Sequence, residues 1–112
     1  MEHELLFSNP VFHEGVNVTV RKGDKWMKAN VGDTLIIKDV GKNQQVAKGT
    51  LVGQAYLPLL LIPESWLAFE HDPGCRNRAG LFAELKRVYP DFTKDSWVTV
   101  LLFNLQRTDV HA

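Results

Sequence analysis

The sequence predicts an α+β chain that is mostly β: a small antiparallel β-barrel with two short helical segments. Three observations carry the prediction. Strand-period alternation recurs along the chain, most clearly where Val16, Val18 and Val20 alternate with Asn17, Thr19 and Arg21. A long strand read from 45 to about 57 sets Ala47, Gly49, Gly53 and Ala55 on the face of Leu51. So little bulk on one side suits a strand that bends at a barrel corner. Helical spacing appears in only two places, 64–71 and 79–89.

In chain order, residues 4–7 (Glu-Leu-Leu-Phe) read as a short strand closed by the Ser8-Asn9-Pro10 turn. The alternating valine strand follows, then a Lys-Gly-Asp turn leading to Lys25 and Trp26. A turn over 30–33 uses Gly32 for its unusual backbone conformation. Leu35 and Ile37 alternate with Thr34, Ile36 and Lys38 in a strand over 34–39 that breaks at Val40-Gly41-Lys42-Asn43. After the long strand, Pro63 stands where a helix can begin, with Glu64 in its favourable first turn. A short helix over 64–71 would carry Trp66, Leu67 and Phe69. Residues 71–78 (HDPGCRNR) are loop by composition, and Asn77 is positioned to cap a helix over 79–89. There Leu81, Phe82, Leu85, Val88 and Tyr89 repeat at helical spacing until Pro90. Residues 96–105 are apolar on both faces, which predicts a central, doubly covered strand with Trp97, Leu101 and Phe103 in the core. The chain after Gln106 reads as a fraying end.

At 112 residues the chain is expected to be one domain, 1–112, large enough for a core. Thirteen basic residues balance thirteen acidic ones, so any attraction for nucleic acid must come from a local patch. The single cysteine, Cys75, excludes an intramolecular disulfide framework and suits a reducing compartment. The acidic N-terminus has too short an apolar run for a signal peptide, and the greasiest run, 57–63, is far too short to span a bilayer. The expectation is a cytoplasmic protein, monomer or weak dimer, with no membrane partner and no cofactor. There is no Gly-rich phosphate cradle and no metalloprotease motif, so nucleotide hydrolysis and hydride transfer have no support.

The local patch is the polar row Asn17, Thr19 and Arg21, an amide, a hydroxyl and a guanidinium spaced about 6–7 Å apart along one strand. Such a row can hold a phosphate, a base edge or a carbonyl. Lys25 beside Trp26 offers a cation and a stacking face, although a tryptophan here fits a core position equally well, and Trp66 and Trp97 read as core. If the 71–78 loop folds over this strand, Lys22, Lys25, Lys28, Arg76 and Arg78 form one basic rim, while Lys86 and Arg87 read as solvated helix surface. The run Glu70-His71-Asp72 followed by Cys75 raises two further ideas. Structural zinc wants four ligands, and the other histidines are only His3, His13 and His111, so no metal site is assigned. A thiol nucleophile activated by Arg76 and Arg78 is the second idea, and a plain loop outweighs both.

With Gly15 and Val18-Thr19-Val20-Arg21, Gly32-Asp33 opening a strand, the helix end Glu84 to Pro90 and a closing strand near Phe103, the chain resembles the ASCH family of the PUA-like superfamily over roughly residues 12–106. The resemblance implies a barrel with helices over its openings, a cleft beside the Thr-x-Arg strand, and a link to RNA or nucleotides. Some members are acetylcytidine amidohydrolases that use a lysine, a threonine and a glutamate. The threonine corresponds to Thr19, while Val16 stands near the lysine position and Arg78 near the glutamate position. The expected function is therefore binding of RNA or a (modified) nucleoside or nucleotide by Asn17, Thr19, Arg21, Lys25, Trp26, His71 and Arg78. The rival is a small hydrolase, a nucleoside amidohydrolase or RNA-processing enzyme, using Thr19 and a displaced carboxylate, Glu70. A protein-interaction module that keeps the barrel and lacks the ligand is the third reading.

Overall fold

The strand patterns above produce five strands, seen in a computed structural model that describes residues 1–107. In chain order these are β1 (Glu2–Phe7), β2 (Val16–Lys22), β3 (Thr34–Asp39) and β4 (Gln44–Pro58), then helices α1 (Glu64–Leu67) and α2 (Arg78–Val88), and last β5 (Trp97–Arg107). Single turns of 3-10 helix occupy Lys25–Lys28, Leu59–Leu61 and Pro73–Cys75. The final strand continues through Arg107, past the expected point of fraying, and residues 108–112 of the tail lie outside the described residues.

The sheet order is β1-β3-β4-β5-β2, with β5 in the middle of its two long partners as its two apolar faces require. One pair departs from the expected antiparallel barrel: β1 and β3 run parallel. The chain leaves β1, builds β2 on the far side of the sheet and only then returns beside β1, a crossover that parallel pairing demands. β1 and β2 are left as the two edges, and the curl of the sheet brings them together: the Arg21 Nη1 of β2 donates to the Leu6 carbonyl of β1 at 2.9 Å.

Register decides which side each residue faces. Val18 lies opposite Leu102 and Val20 opposite Val100, whereas Asn17 pairs with Phe103 and Thr19 with Leu101. The first set packs beneath the helices with Leu59, Ile62, Leu67, Leu81, Leu85 and Phe92. Leu5, Phe7, Leu35, Ile37, Leu51, Leu101 and Phe103 fill the barrel itself. The polar row of β2 is therefore turned inward, not to solvent: Asn17 is 0% and Thr19 2% exposed. Alternation identifies two faces of a strand, and closing the sheet covers both.

β4 carries a bulge. Leu51 pairs with Phe103 but Gly53 with Leu102, so Val52 is an extra residue. Ala47, Gly49 and Leu51 face the barrel, while Gly53 and Ala55 fall on the helix side, which corrects the single small-residue face read from the sequence. At Gly49 the absent side chain matters, because a Cβ would sit 2.9 Å from the Phe103 ring. Two further expectations change. α1 ends at Leu67 instead of running to 71, because Glu70 leaves the helix to bridge Val18. Trp97 is 49% exposed: as the first residue of β5 it packs beside Tyr56, with ring centroids 4.9 Å apart, at the sheet surface. α2 forms as read, its N-terminus capped by the Asn77 side chain, which accepts from Gly80 N at 2.7 Å.

Candidate functional site

The seam between β1 and β2 is closed by one side chain. Besides Leu6, Arg21 donates from Nε to Thr19 Oγ1 at 3.2 Å, and its guanidinium lies 4.6 Å from the centroid of the Phe7 ring. Burial lowers its pKa to about 10, which leaves it cationic at neutral pH.

The segment after α1 docks against the same strand. Val18 N donates to Phe69 O at 2.8 Å and His71 N to Val18 O at 2.9 Å, a parallel bridge that brings Glu70 and His71 beside the seam. Glu70 is 2% exposed, its Oε1 accepting from Asp72 N at 3.1 Å, and burial pushes its carboxyl up to about 8. His71 Nδ1 lies 3.0 Å from the Val11 carbonyl, which can only accept, so Nδ1 carries the proton. Burial holds the imidazole down to about 4, so it is neutral and presents Nε2 as an acceptor, 3.4 Å from Glu70 Oε1. A protonated Glu70 complements that tautomer. Thr19, Arg21, Glu70 and His71 together line an inner cavity of about 160 Å³, walled on its apolar side by Phe7, Leu81 and Tyr89.

A larger cleft of about 530 Å³ adjoins it and shares Leu6, Arg21 and Tyr89. Lys22, Lys25, Trp26 and Lys28 form one side, and Glu2, His3 and Glu4 of β1 the other. The Lys25 and Lys28 ammonium groups lie 5.7 and 5.4 Å from the Trp26 ring centroid, and Lys22 lies 5.1 Å from that of Tyr89. Trp26 is partly buried against the barrel core while it rims the cleft, so it serves both roles offered for it.

Two residues expected at the site lie elsewhere. Asn17 spends its amide on its own turn: Nδ2 donates to His13 O at 2.7 Å and to Gly15 O, and Oδ1 accepts from His13 N. Arg78 pairs with Glu64 Oε1 at 3.1 Å and donates to Ile62 O, lining neither cavity. The single basic rim also divides. Lys22, Lys25 and Lys28 border the outer cleft, with Lys22 also paired with Asp91 at 3.6 Å, and Arg76 is held by the Glu70 carbonyl; outside the rim, Lys86 bonds Phe92 O and Arg87 pairs with Glu84. Cys75 is 5% exposed, and burial, aided by Glu70 and Asp72, pushes its thiol up to about 12. That overturns its reading as an activated nucleophile, since Arg76 and Arg78 point their charge at other partners. No group of three or more potential metal ligands forms among the described residues, and no helix there is long and apolar enough to cross a membrane. Tyr89 was legible only as one position of the apolar stripe of α2. Its phenol just ahead of Pro90, at the helix end, was the available signal.

A scan of protein-family models finds no match to this sequence, and a search of curated proteins finds none either. Solved structures do share the fold. Protein EF3133 from Enterococcus faecalis V583, of family DUF984, aligns with a TM-score of 0.54 at 22% identity, covering 86% of this chain and 68% of that one. The ASCH domain from Lactobacillus crispatus JV V101 aligns with a TM-score of 0.54 at 10% identity over 80% of this chain, which spans 63% of that domain's length. The chain thus has the ASCH-like fold to which its strand order and its Thr-x-Arg strand pointed.

Proposed function

We propose that the inner cavity binds one nucleoside, free or as a unit of a nucleotide or RNA, through Thr19, Arg21, Glu70 and His71. The observation that carries this reading is the convergence of three buried polar side chains, Thr19, Glu70 and His71, and the half-buried Arg21 on one small cavity with aromatic walls. Its volume of about 160 Å³ is below the about 300–1,000 Å³ of sites for drug-sized ligands, which suits a single heterocyclic base. With its proton turned to His71 Nε2, Glu70 offers its second oxygen as an acceptor, Arg21 offers donors only, and the Thr19 hydroxyl, which accepts from Arg21 Nε, offers its proton, a set able to match a base edge. Calorimetric titration with the four ribonucleosides and their 5′-monophosphates tests it. At least one should bind, and Thr19→Val should weaken it about tenfold, the scale of one lost hydrogen bond. Failure of all eight compounds to bind at millimolar concentration refutes the reading.

One observation favours a second reading, the hydrolase. Glu70 lines the same cavity as Thr19, and a carboxyl raised to about 8 is suited to proton transfer near neutrality. Against it, Val16 stands near the position that the resemblance gives to a lysine, and Arg78 is turned away toward Glu64. Attack on an amide carbonyl builds charge that a preorganised donor must stabilise, and loss of one such donor costs about 100- to 1,000-fold in rate. The expectation is no appreciable release of cytidine from acetylcytidine. Turnover abolished by both Thr19→Ala and Glu70→Gln, in proteins that remain folded, would place the hydrolase first.

A further inference from the structure

Arg21 is a cation held entirely by neutral partners. Nε donates to Thr19 Oγ1, Nη1 donates to the Leu6 carbonyl, and the Phe7 ring covers the guanidinium. Nη2 makes no hydrogen bond among the described residues. Arg78 and Arg87 meet carboxylates, Glu64 and Glu84, whereas among the described residues no carboxylate oxygen lies within 4.0 Å of Arg21. Near the seam, Glu4 pairs with Lys38 and Asp91 with Lys22, and burial keeps Glu70 protonated at neutral pH. Closing the seam needs only a donor for the Leu6 carbonyl, which a neutral glutamine would supply. A half-buried positive charge without a counter-charge exceeds that need, and such charges are ordinarily paired.

The inner cavity is also polarised from end to end. Asp72 and Glu84 line it at Cys75, whose thiol they both influence, and neither is among the charges that act on Arg21. Asp72 accepts from Gly74 N and Glu84 pairs with Arg87, so both carboxylates are already met. At the other end, the Thr19 hydroxyl accepts from Arg21 Nε and keeps its own proton to donate beside the free Nη2. Nε and Nη2 form one edge of the guanidinium fork, and Thr19 extends that edge by one donor. Two neighbouring donors backed by a full charge match the two oxygens of a carboxylate.

Building on the nucleoside reading above, we propose that the inner cavity takes a base that itself carries a carboxylate, with one oxygen on Arg21 Nη2 and the other on the Thr19 hydroxyl. The second oxygen of Glu70 then accepts from an N–H of the ring. At about 160 Å³ the cavity suits one ring with a small substituent, so the charge belongs to the base and not to a 5′-phosphate. Uracil carrying the carboxylate at C5 and uracil carrying it at C6 share this chemistry, and experiment separates them.

The test is calorimetric titration with uracil-5-carboxylate and uracil-6-carboxylate, each against its own carboxamide, which has the same shape and no charge. At least one acid should bind about tenfold more tightly than its amide, the scale of a charged against a neutral hydrogen bond. Whichever acid is preferred identifies the position of the substituent. The preference should largely persist from about 50 to about 200 mM KCl, because a half-buried pair is screened less than an exposed one. Arg21→Gln should bring acid and amide to within about twofold, and Arg21→Lys should restore part of the difference. Both variants are checked by urea unfolding, and the comparison in the native chain decides if either fails to fold. Acids no tighter than their amides would overturn the carboxylate site, as would a preference lost at the higher salt or retained in folded Arg21→Gln. In each of these cases the nucleoside reading still rests on its own titration. Acids bound while the ribonucleosides and their 5′-monophosphates are not would support the carboxylate site and refute the broader reading. Absence of binding by all of these compounds refutes both.

Discussion

Glu70→Gln should abolish a loss of stability that the native chain suffers between pH 6.5 and 8. Burial raises the folded-state pKa of Glu70 from 4.5 to about 8, so the folded chain keeps a proton that the unfolded chain releases. This contribution is fully present below pH 4.5 and is lost as pH rises through about 8. His71 works in the opposite sense. Its pKa is lowered from 6.5 to about 4, so its contribution is present above pH 6.5 and lost as pH falls through about 4. Between pH 4.5 and 6.5 the two slopes oppose and nearly cancel. Above 6.5 only Glu70 acts, and at about 1.4 kcal/mol per pH unit the loss by pH 8 is about 2 kcal/mol. Asp33, held to about 2 by the Asn30 N–H and His3, titrates below this window, and Cys75, at about 12, titrates above it. Glutamine copies the protonated carboxyl in shape and keeps an acceptor for Asp72 N. Urea unfolding at pH 6.5, 7.2 and 8.0 should therefore show a falling midpoint for the native chain and a level one for Glu70→Gln, with the m-value unchanged. A native midpoint that stays level, or two parallel declines, would refute the neutral buried carboxyl.

The remaining predictions concern packing. Phe103, wholly buried against Phe7, Phe12 and the bare backbone of Gly49, should cost about 3–5 kcal/mol as Phe103→Ala, read from chemical denaturation. Trp97→Ala should cost about 1 kcal/mol, because half the side chain is already in water and its aromatic contact is with Tyr56 at the surface. Gly80→Ala should destabilise despite the higher helix propensity of alanine, since its methyl group would overlap the Gly74 carbonyl. A rise in melting temperature would contradict that close approach. Cys75 should react with iodoacetamide far more slowly in the folded chain at pH 8 than in urea, and equal rates would show that the thiol is open.

The sequence was most informative where one pattern admitted one environment. A run apolar on both faces, such as 96–105, fits only the middle of a sheet, and Asn77 with Pro90 delimits a helix whatever surrounds it. The site is harder to read because its decisive partners are backbone atoms distant in sequence. Arg21 is held by the Leu6 carbonyl and His71 by the Val11 carbonyl, and every residue type carries a carbonyl. The alternation in β2 separated Asn17, Thr19 and Arg21 from the valines, yet only the curl of the sheet decides that the polar face is covered. The sequence places Glu70 near the end of a helix over 64–71, as a carboxylate displaced from the position the resemblance implies. Its approach depends on α1 stopping after four residues, which no local signal in Glu64-Ser65-Trp66-Leu67 announces.

Val52 shows what a strand can encode by counting. Judged by its surroundings it is dispensable, with 46% of its surface in water. Its removal would nonetheless exchange the two sides of everything beyond it in β4: Leu57, which packs beneath the helices, would turn toward the barrel, and Tyr56 would turn from its place beside Trp97 toward the helical layer. Substitution at this position is a small matter of solvation, whereas deletion is a change of frame. Related chains should therefore vary freely in the identity of this residue and hardly at all in its presence, and an alignment that places a gap here has misassigned half a strand.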